Sequence, residues 1–461
     1  MRHGTGPGFS AAHMLRACTV AAAVVLAGCV AMPPSPIAGR ADALMRDLHG
    51  RDLFQGAVVI GRGGRIEYAE GFGFADVERR TPFTPDTPTD GASIAKTFTA
   101  VGLMMLAREG RIDLEARVRD VLPEYPHAAT RLRHLLAHSA GLPDYDWFDT
   151  RVTAGEVRTN ASHLALLRHE AAAPACAPGS AFAYDNVAYD VAAMVIERRT
   201  GLTYADFVAQ RFSRPLGLAA FVRPARFADW SGARTRGWRR TSAGWKDHDA
   251  FDLEGFHGGA NLYLSARDLH RWAAGYGQTV GAATLRDAIA PARLDDGRST
   301  GLSLGNWYVS ADGQRRYYTG IHNGFHNFAY ADDARGLAVA FVANDAPPAW
   351  LQPALARALV AIAEGREPER LAPPAPAPAA PDPSGSYRVA GIGELTARQD
   401  GKRLWVHLHA VEYEAFRFGG GTHYVPGLDA YLRFTLAPQD QVTVSWSSVY
   451  LVVPSTVRQA P

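Results

Sequence analysis

The sequence predicts an α/β protein: one antiparallel sheet formed from both ends of a large domain and flanked by helices, with a mostly helical insertion and a small C-terminal all-β domain. Three observations predict it. Strand patterns open the domain at residues 54–73 and return between 303 and 344. Between them, apolar residues recur at spacings of three and four. A Pro/Ala stretch, RLAPPAPAPAAPDPS at residues 370–384, cannot bury a core and marks a boundary before about seventy residues of alternating pattern.

In chain order, residues 41–50 (ADALMRDLHG) read as a helix, and FQGAVVIGRGGRIEYAEGFG as two strands around the Gly63-Gly64 turn. Helical spacing runs from Ser93 through LMMLAREG, RLRHLLAH, DVAAMVIERRT, DFVAQRF and ARDLHRWAAGY. Strands return at SLGNWYVS, QRRYYTG, NFAYAD and GLAVAFVAN, and a last helix covers residues 351–364. Beyond the linker, ELTARQ, RLWVHLHA, EAFRFG, YLRFTLA and QVTVSW read as a meander or partial barrel in which no chemistry is evident. The domain boundaries are therefore 41–366, a linker at 367–384, and 385–461.

The first 28 residues hold Arg2 and Arg16 and no acid, so of 48 basic and 46 acidic side chains the remainder keeps 46 of each. That balance argues against nucleic acid as a partner. The apolar run ACTVAAAVVLA is too short to span a bilayer. It ends at Leu26-Ala27-Gly28-Cys29, which resembles the lipobox of bacterial lipoproteins. The resemblance implies a signal peptide at 1–28, lipidation of Cys29, a Pro-rich tether at 29–40, and a place in the cell envelope on the periplasmic side of a bacterial membrane. Cys18 then leaves with the signal and Cys29 is acylated, so Cys176 stands alone, with no disulfide and no Cys-based metal site to form.

Arginine supplies nearly all the positive charge; the three lysines are Lys96, Lys246 and Lys402. Lys96 follows Ser93 by three residues, so on one helical turn the two side chains share a face. A serine hydroxyl needs a base to become a nucleophile, and burial can turn a lysine into one by penalising its charged form. Arginine cannot do this. The helix N-terminus beside Ser93 also offers free N–H groups to a developing oxyanion.

Companions sharpen the reading. Tyr184 and Asn186 lie two apart in a loop before a helix, a phenol suited to relaying a proton and a carboxamide suited to holding a substrate amide. A phenol near a lysine ammonium is expected to titrate low. Further on, His322-Asn323-Gly324 enters a strand. Ser-x-x-Lys, Tyr-x-Asn and His-x-Gly in that order resemble the serine β-lactamase and DD-peptidase superfamily, in its branch of class C β-lactamases, D-alanyl-D-alanine carboxypeptidases, D-aminopeptidases and esterases. The stretches REGRIDLEARVRDVLPEYP, LRHLLAHSAGLPDY and GGANLYLSARDLHRW look like the same branch, and the likeness covers about residues 41–364.

The resemblance implies Ser93 as acylated nucleophile, Lys96 as base, Tyr184 as relay, and Asn186 on the substrate's amide. It places His322 where lactamases have the lysine of Lys-Thr-Gly, with Gly324 beside it, and puts the oxyanion between the N–H groups of Ser93 and Phe325. The usual Gly-rich, Pro-containing turn is missing after this motif, so Phe325 is expected to narrow or reshape the cleft beside the oxyanion hole. No metal or cofactor is implied. The expected activity is amide or ester hydrolysis on a small molecule or peptidoglycan peptide, with D-amino-acid peptides or small esters favoured over β-lactams. The alternative is a penicillin-recognising or peptidoglycan-binding lipoprotein with little turnover.

Other motifs carry less. Ala137-His138-Ser139-Ala140-Gly141 is one residue short of a nucleophile elbow and follows a helix instead of a strand, which makes Ser139 structural. His134 and His138 have metal-ligand spacing, but Leu135 stands where a zinc protease has glutamate.

Overall fold

The structure, a computed structural model, describes residues 1, 3, 4 and 35–458 apart from 152–154, 171, 231–233, 242–243, 250–253, 346, 349, 373–380, 390–392, 402, 409–410, 420, 426–429, 438–440 and 449–454. The apolar run ACTVAAAVVLA, Cys29 and most of the Pro/Ala stretch lie outside the described residues. Helix α1, Pro36–Gly50, begins five residues before the expected start. Ser35 accepts the Ala38 N–H at 3.1 Å, and Pro36 suits the first turn, so the end of the expected tether is helical.

Six strands build the main sheet: β1 Gly56–Arg62, β2 Arg65–Phe72, β3 Tyr308–Val309, β4 Arg315–His322, β5 Phe325–Asp332 and β6 Leu337–Ala343. Their order is β3-β4-β5-β6-β1-β2, every pairing antiparallel, so the two ends of the domain meet where β1 pairs with β6. β6 is buried at all seven positions because helices cover both faces. On one face Val58, Ile60, Val339 and Phe341 pack with α1 and with α5, Leu351–Ala363. On the other, Val59, Ala340 and Val342 join the core of the helical insertion.

That core centres on α2 (Ala95–Arg108), α3 (Val187–Thr200) and α4 (Ala266–Ile289, broken at Gly281). Phe98 of α2 stacks on Trp272 of α4 at 3.8 Å, and Trp272 donates to Thr97 at 2.9 Å, which pins the helix that follows Ser93. The RLRHLLAH pattern forms only one short helix, Leu132–Leu136, which stops at residues of positive φ, His138 and Gly141.

Among the described residues the C-terminal domain has eight antiparallel strands, from Gly385–Val389 to Ser455–Arg458, each paired with the next. The first packs against the last two, which curls the meander into a barrel-like form. Arg357 of α5 donates to the Tyr431 hydroxyl at 2.9 Å and ties this domain to the first.

Candidate active site

Ser93 sits in a 3-10 turn, Ala92–Ile94, that runs directly into α2. Ala92 before it has φ +48, a conformation that L residues seldom adopt, and its N–H is held at 2.8 Å by the buried Asp90 carboxylate. Asn327 of β5 donates to the Asp90 carbonyl at 2.9 Å, so the sheet holds the turn from beneath.

Lys96 has no solvent exposure. Its Nζ donates to Asn186 Oδ1 at 2.6 Å and to the Gly259 carbonyl at 2.7 Å, and lies 3.1 Å from Ser93 Oγ. Two carbonyl acceptors thus direct the remaining tetrahedral position at the serine. Burial pulls the amine down to about 8, against the opposing pull of Asp144, Asp190 and Asp185.

Ser93 Oγ also lies 2.9 Å from the Tyr184 hydroxyl, so the structure brings Ser93, Lys96, Tyr184 and Asn186 together. The phenol does not titrate low, contrary to the expectation. Burial, with Tyr318 beside it, drives Tyr184 well above its ordinary value and outweighs Ser93. Tyr184 is therefore a neutral O–H at physiological pH. His138 stacks on its ring at 4.3 Å and is itself pushed down to about 3 by burial and by Lys96.

The third motif lies four residues earlier than expected. Asn323 and Gly324 have φ +38 and +82 and form a two-residue hairpin turn that pairs His322 with Phe325. Tyr318, Gly320 and His322 alternate onto the face of β4 that meets Ser93. Tyr318 is the one that bonds Tyr184, so a phenol stands where His322 was expected. His322 lies farther out, Nδ1 3.3 Å from Asp90; burial opposes its charge, but Asp90 and Glu254 hold the imidazole above its ordinary value. Gly324 serves packing, since a Cβ there would stand 2.8 Å from the Trp238 nitrogen.

Phe325 is fully buried and is not among the residues that line the cleft, contrary to the expectation that it narrows or reshapes it. Its N–H turns to His322 across the hairpin, as the flanking pair of a two-residue turn requires. Ile321 pairs out of phase with these, so its N–H points to the free edge of β4, beyond β3, which reaches only Arg316 and Tyr317. The cleft, about 310 Å3, is lined there by Ser93, Tyr308, Tyr318, Ile321 and His322, and opposite by Tyr145, Tyr184 and Asn186. Ile321 is 39% exposed.

Sequence reasoning missed Tyr318, Ile321, Tyr145 and Asp144. The Asn-Gly hairpin signal was available to set the register of β4; nothing local marked Asp144. Ser139 is buried on the His134 carbonyl, away from the cleft. His134 bonds Asp295 while His138 bonds Asp185 and Asn306, so the pair does not converge. Among the described residues no group of three His, Cys, Asp or Glu is placed to hold a metal. Cys176 is half-buried, and burial pushes its thiol up.

A family model described as Beta-lactamase matches residues 41–364. Penicillin-binding protein 4* of Bacillus subtilis (strain 168) is 32% identical over 176 residues, 38% of this chain and 39% of that protein. Protein flp of Staphylococcus aureus (strain COL) is 26% identical over 37% of this chain and 35% of its own. The matched segment therefore spans less than two fifths of the length of these curated relatives. The octameric penicillin-binding protein homologue from Pyrococcus abyssi shares the fold with a TM-score of 0.61 at 19% identity, covering 91% of this chain and 99% of its own. So does D-amino acid amidase from Ochrobactrum anthropi SV3, with 0.56 at 22% identity, covering 68% and 92%.

Proposed function

Because the chain belongs to the Beta-lactamase family, within the serine β-lactamase and DD-peptidase superfamily, we propose that it cleaves an amide or ester through an acyl-enzyme on Ser93. The observation that carries this reading is the placement of Ser93 Oγ between Lys96 Nζ and Tyr184 Oη, at 3.1 and 2.9 Å. Neutral Lys96 takes the serine proton as Oγ attacks the acyl carbon. The Tyr184 phenol gives its proton to the leaving nitrogen or oxygen, and the proton held by Lys96 restores it. The N–H groups of Ser93 and Ile321 flank the developing oxyanion.

D-amino-acid peptides and small esters suit this cleft better than β-lactams. Tyr318 offers a hydroxyl where lactamases have a lysine, so His322 is the lining side chain left to hold a carboxylate, and its hold weakens as pH rises. Lipidation of Cys29 would keep the enzyme at the periplasmic side of a bacterial membrane, next to peptidoglycan peptides.

The test is intact mass after exposure to a penicillin, with drug absorbance and a chromogenic ester followed in parallel and Ser93→Ala as control. Ser93-dependent ester turnover with little drug consumption supports the reading, and Ser93-dependent drug consumption at a comparable rate reverses the substrate preference. A stable penicillin adduct without ester turnover favours a receptor. Equal ester turnover by Ser93→Ala removes the nucleophile.

A further inference from the structure

The loop Gly141-Leu142-Pro143-Asp144-Tyr145 brings Tyr145 to the cleft. Asp144 precedes the short helix Tyr145–Asp149, yet its side chain makes no capping bond to that helix. It reaches the next segment instead. Its Oδ1 accepts the Asn186 backbone N–H at 3.1 Å, and its two oxygens lie 2.8 and 3.0 Å from Asn186 Nδ2. Two oxygens of one carboxylate at those distances share a single N–H, leaving the second for the cleft. With Oδ1 of Asn186 on Lys96, the carboxamide has one orientation available. Neighbouring Tyr145 is held by Asp190 at 3.1 Å, which steadies the loop.

We propose that Asp144 is a positioning residue: through the backbone and side chain of Asn186 it fixes which way the carboxamide faces, and so keeps Lys96 beside Ser93 and one N–H free for a substrate carbonyl. The inference rests on the acyl-enzyme reading above. It deepens that reading by naming the residue that orients Asn186 toward the substrate amide which the resemblance assigns to it. Electrostatics agree. Asp144, Asp185 and Asp190 face Lys96 with His138 and the rings of Tyr184 and Tyr189, and of the three carboxylates Asp144 acts most strongly on the amine.

The experiment compares kcat/KM across pH for two esters of one alcohol, one with an acylamido group beside the scissile carbonyl and one with methylenes in its place. Wild type is expected to favour the acylamido ester, and Asp144→Ala to lose about tenfold of that preference, the worth of one oriented hydrogen bond. Asp144→Asn keeps an oxygen acceptor and loses the charge. It is expected to hold the preference within about threefold while the acid limb of its profile moves to lower pH, because removing the carboxylate makes Lys96 easier to deprotonate. Unchanged preference and limb in both variants overturn the proposal, as does an equal loss on both esters with no movement of the limb. Should Asp144→Ala not fold, the limb of Asp144→Asn decides. Absence of Ser93-dependent turnover in wild type instead fails the hydrolase reading, and this inference with it.

Discussion

A Cβ on Gly320 would stand 2.3 Å from the carbonyl oxygen of Gly91 and 3.1 Å from Ile94 Cγ1. Strand β4 and the turn carrying Ser93 therefore touch backbone to backbone, which sets β4 against Ser93. Gly320→Ala forces the two apart. It is expected to cost about 1–3 kcal/mol of stability and about 100-fold in acylation rate. Thermal denaturation and acylation kinetics measure both, and a fully active variant would refute the role given to β4.

Lys96 as base makes kcat/KM rise with pH until its amine is neutral. Since burial brings that amine to about 8, the rate is expected to fall about tenfold for each pH unit below that value. Lys96→Arg and Lys96→Met should each lose about 100-fold or more, one because it keeps its proton and the other because it cannot take one. A pH-rate profile flat from 6 to 9 would sink the assignment.

Tyr318 places a phenol hydroxyl against Tyr184 where a lysine would bring an ammonium. Tyr318→Lys is expected to raise acylation by penicillin about tenfold relative to a neutral ester, from one added charge-assisted bond to the drug's carboxylate. Competition between the two substrates in one reaction gives the ratio directly, and an unchanged ratio would mean that β4 does not govern carboxylate recognition.

His138, held near 3 in the folded protein against an ordinary 6.5, should make the fold sensitive to acid. Between those values the unfolded chain binds a proton that the folded one refuses, so this group costs stability as pH falls through 6.5, at about 1.4 kcal/mol per unit. Denaturant titrations at pH 7 and 5 should show a smaller acid loss for His138→Gln than for wild type. Equal losses would show that this imidazole is not buried neutral.

Much was legible where the signal is local. Ser93 and Lys96 were readable because one helical turn brings residues three apart onto one face, and the sheet because strand patterns bracket a helical middle. Tyr318 was not, because Tyr318, Gly320 and His322 share a face and a period of two cannot say which lies opposite Tyr184. The Asn-Gly turn and the glycine contact decide that. Phe325 was misread for the same reason, since its N–H belongs to the hairpin.

By itself the sequence determined that Ser93 and Lys96 share one face of a helical turn, and the division into a sheet-and-helix domain followed by strands, all properties of spacing and composition. The tertiary structure alone decided that Lys96 is fully buried with its amine pulled down, that Tyr184 keeps its proton, and that Asp144 grips Asn186 from 42 residues away. Burial and long-range contact set those, and neither is a property of any short stretch of chain.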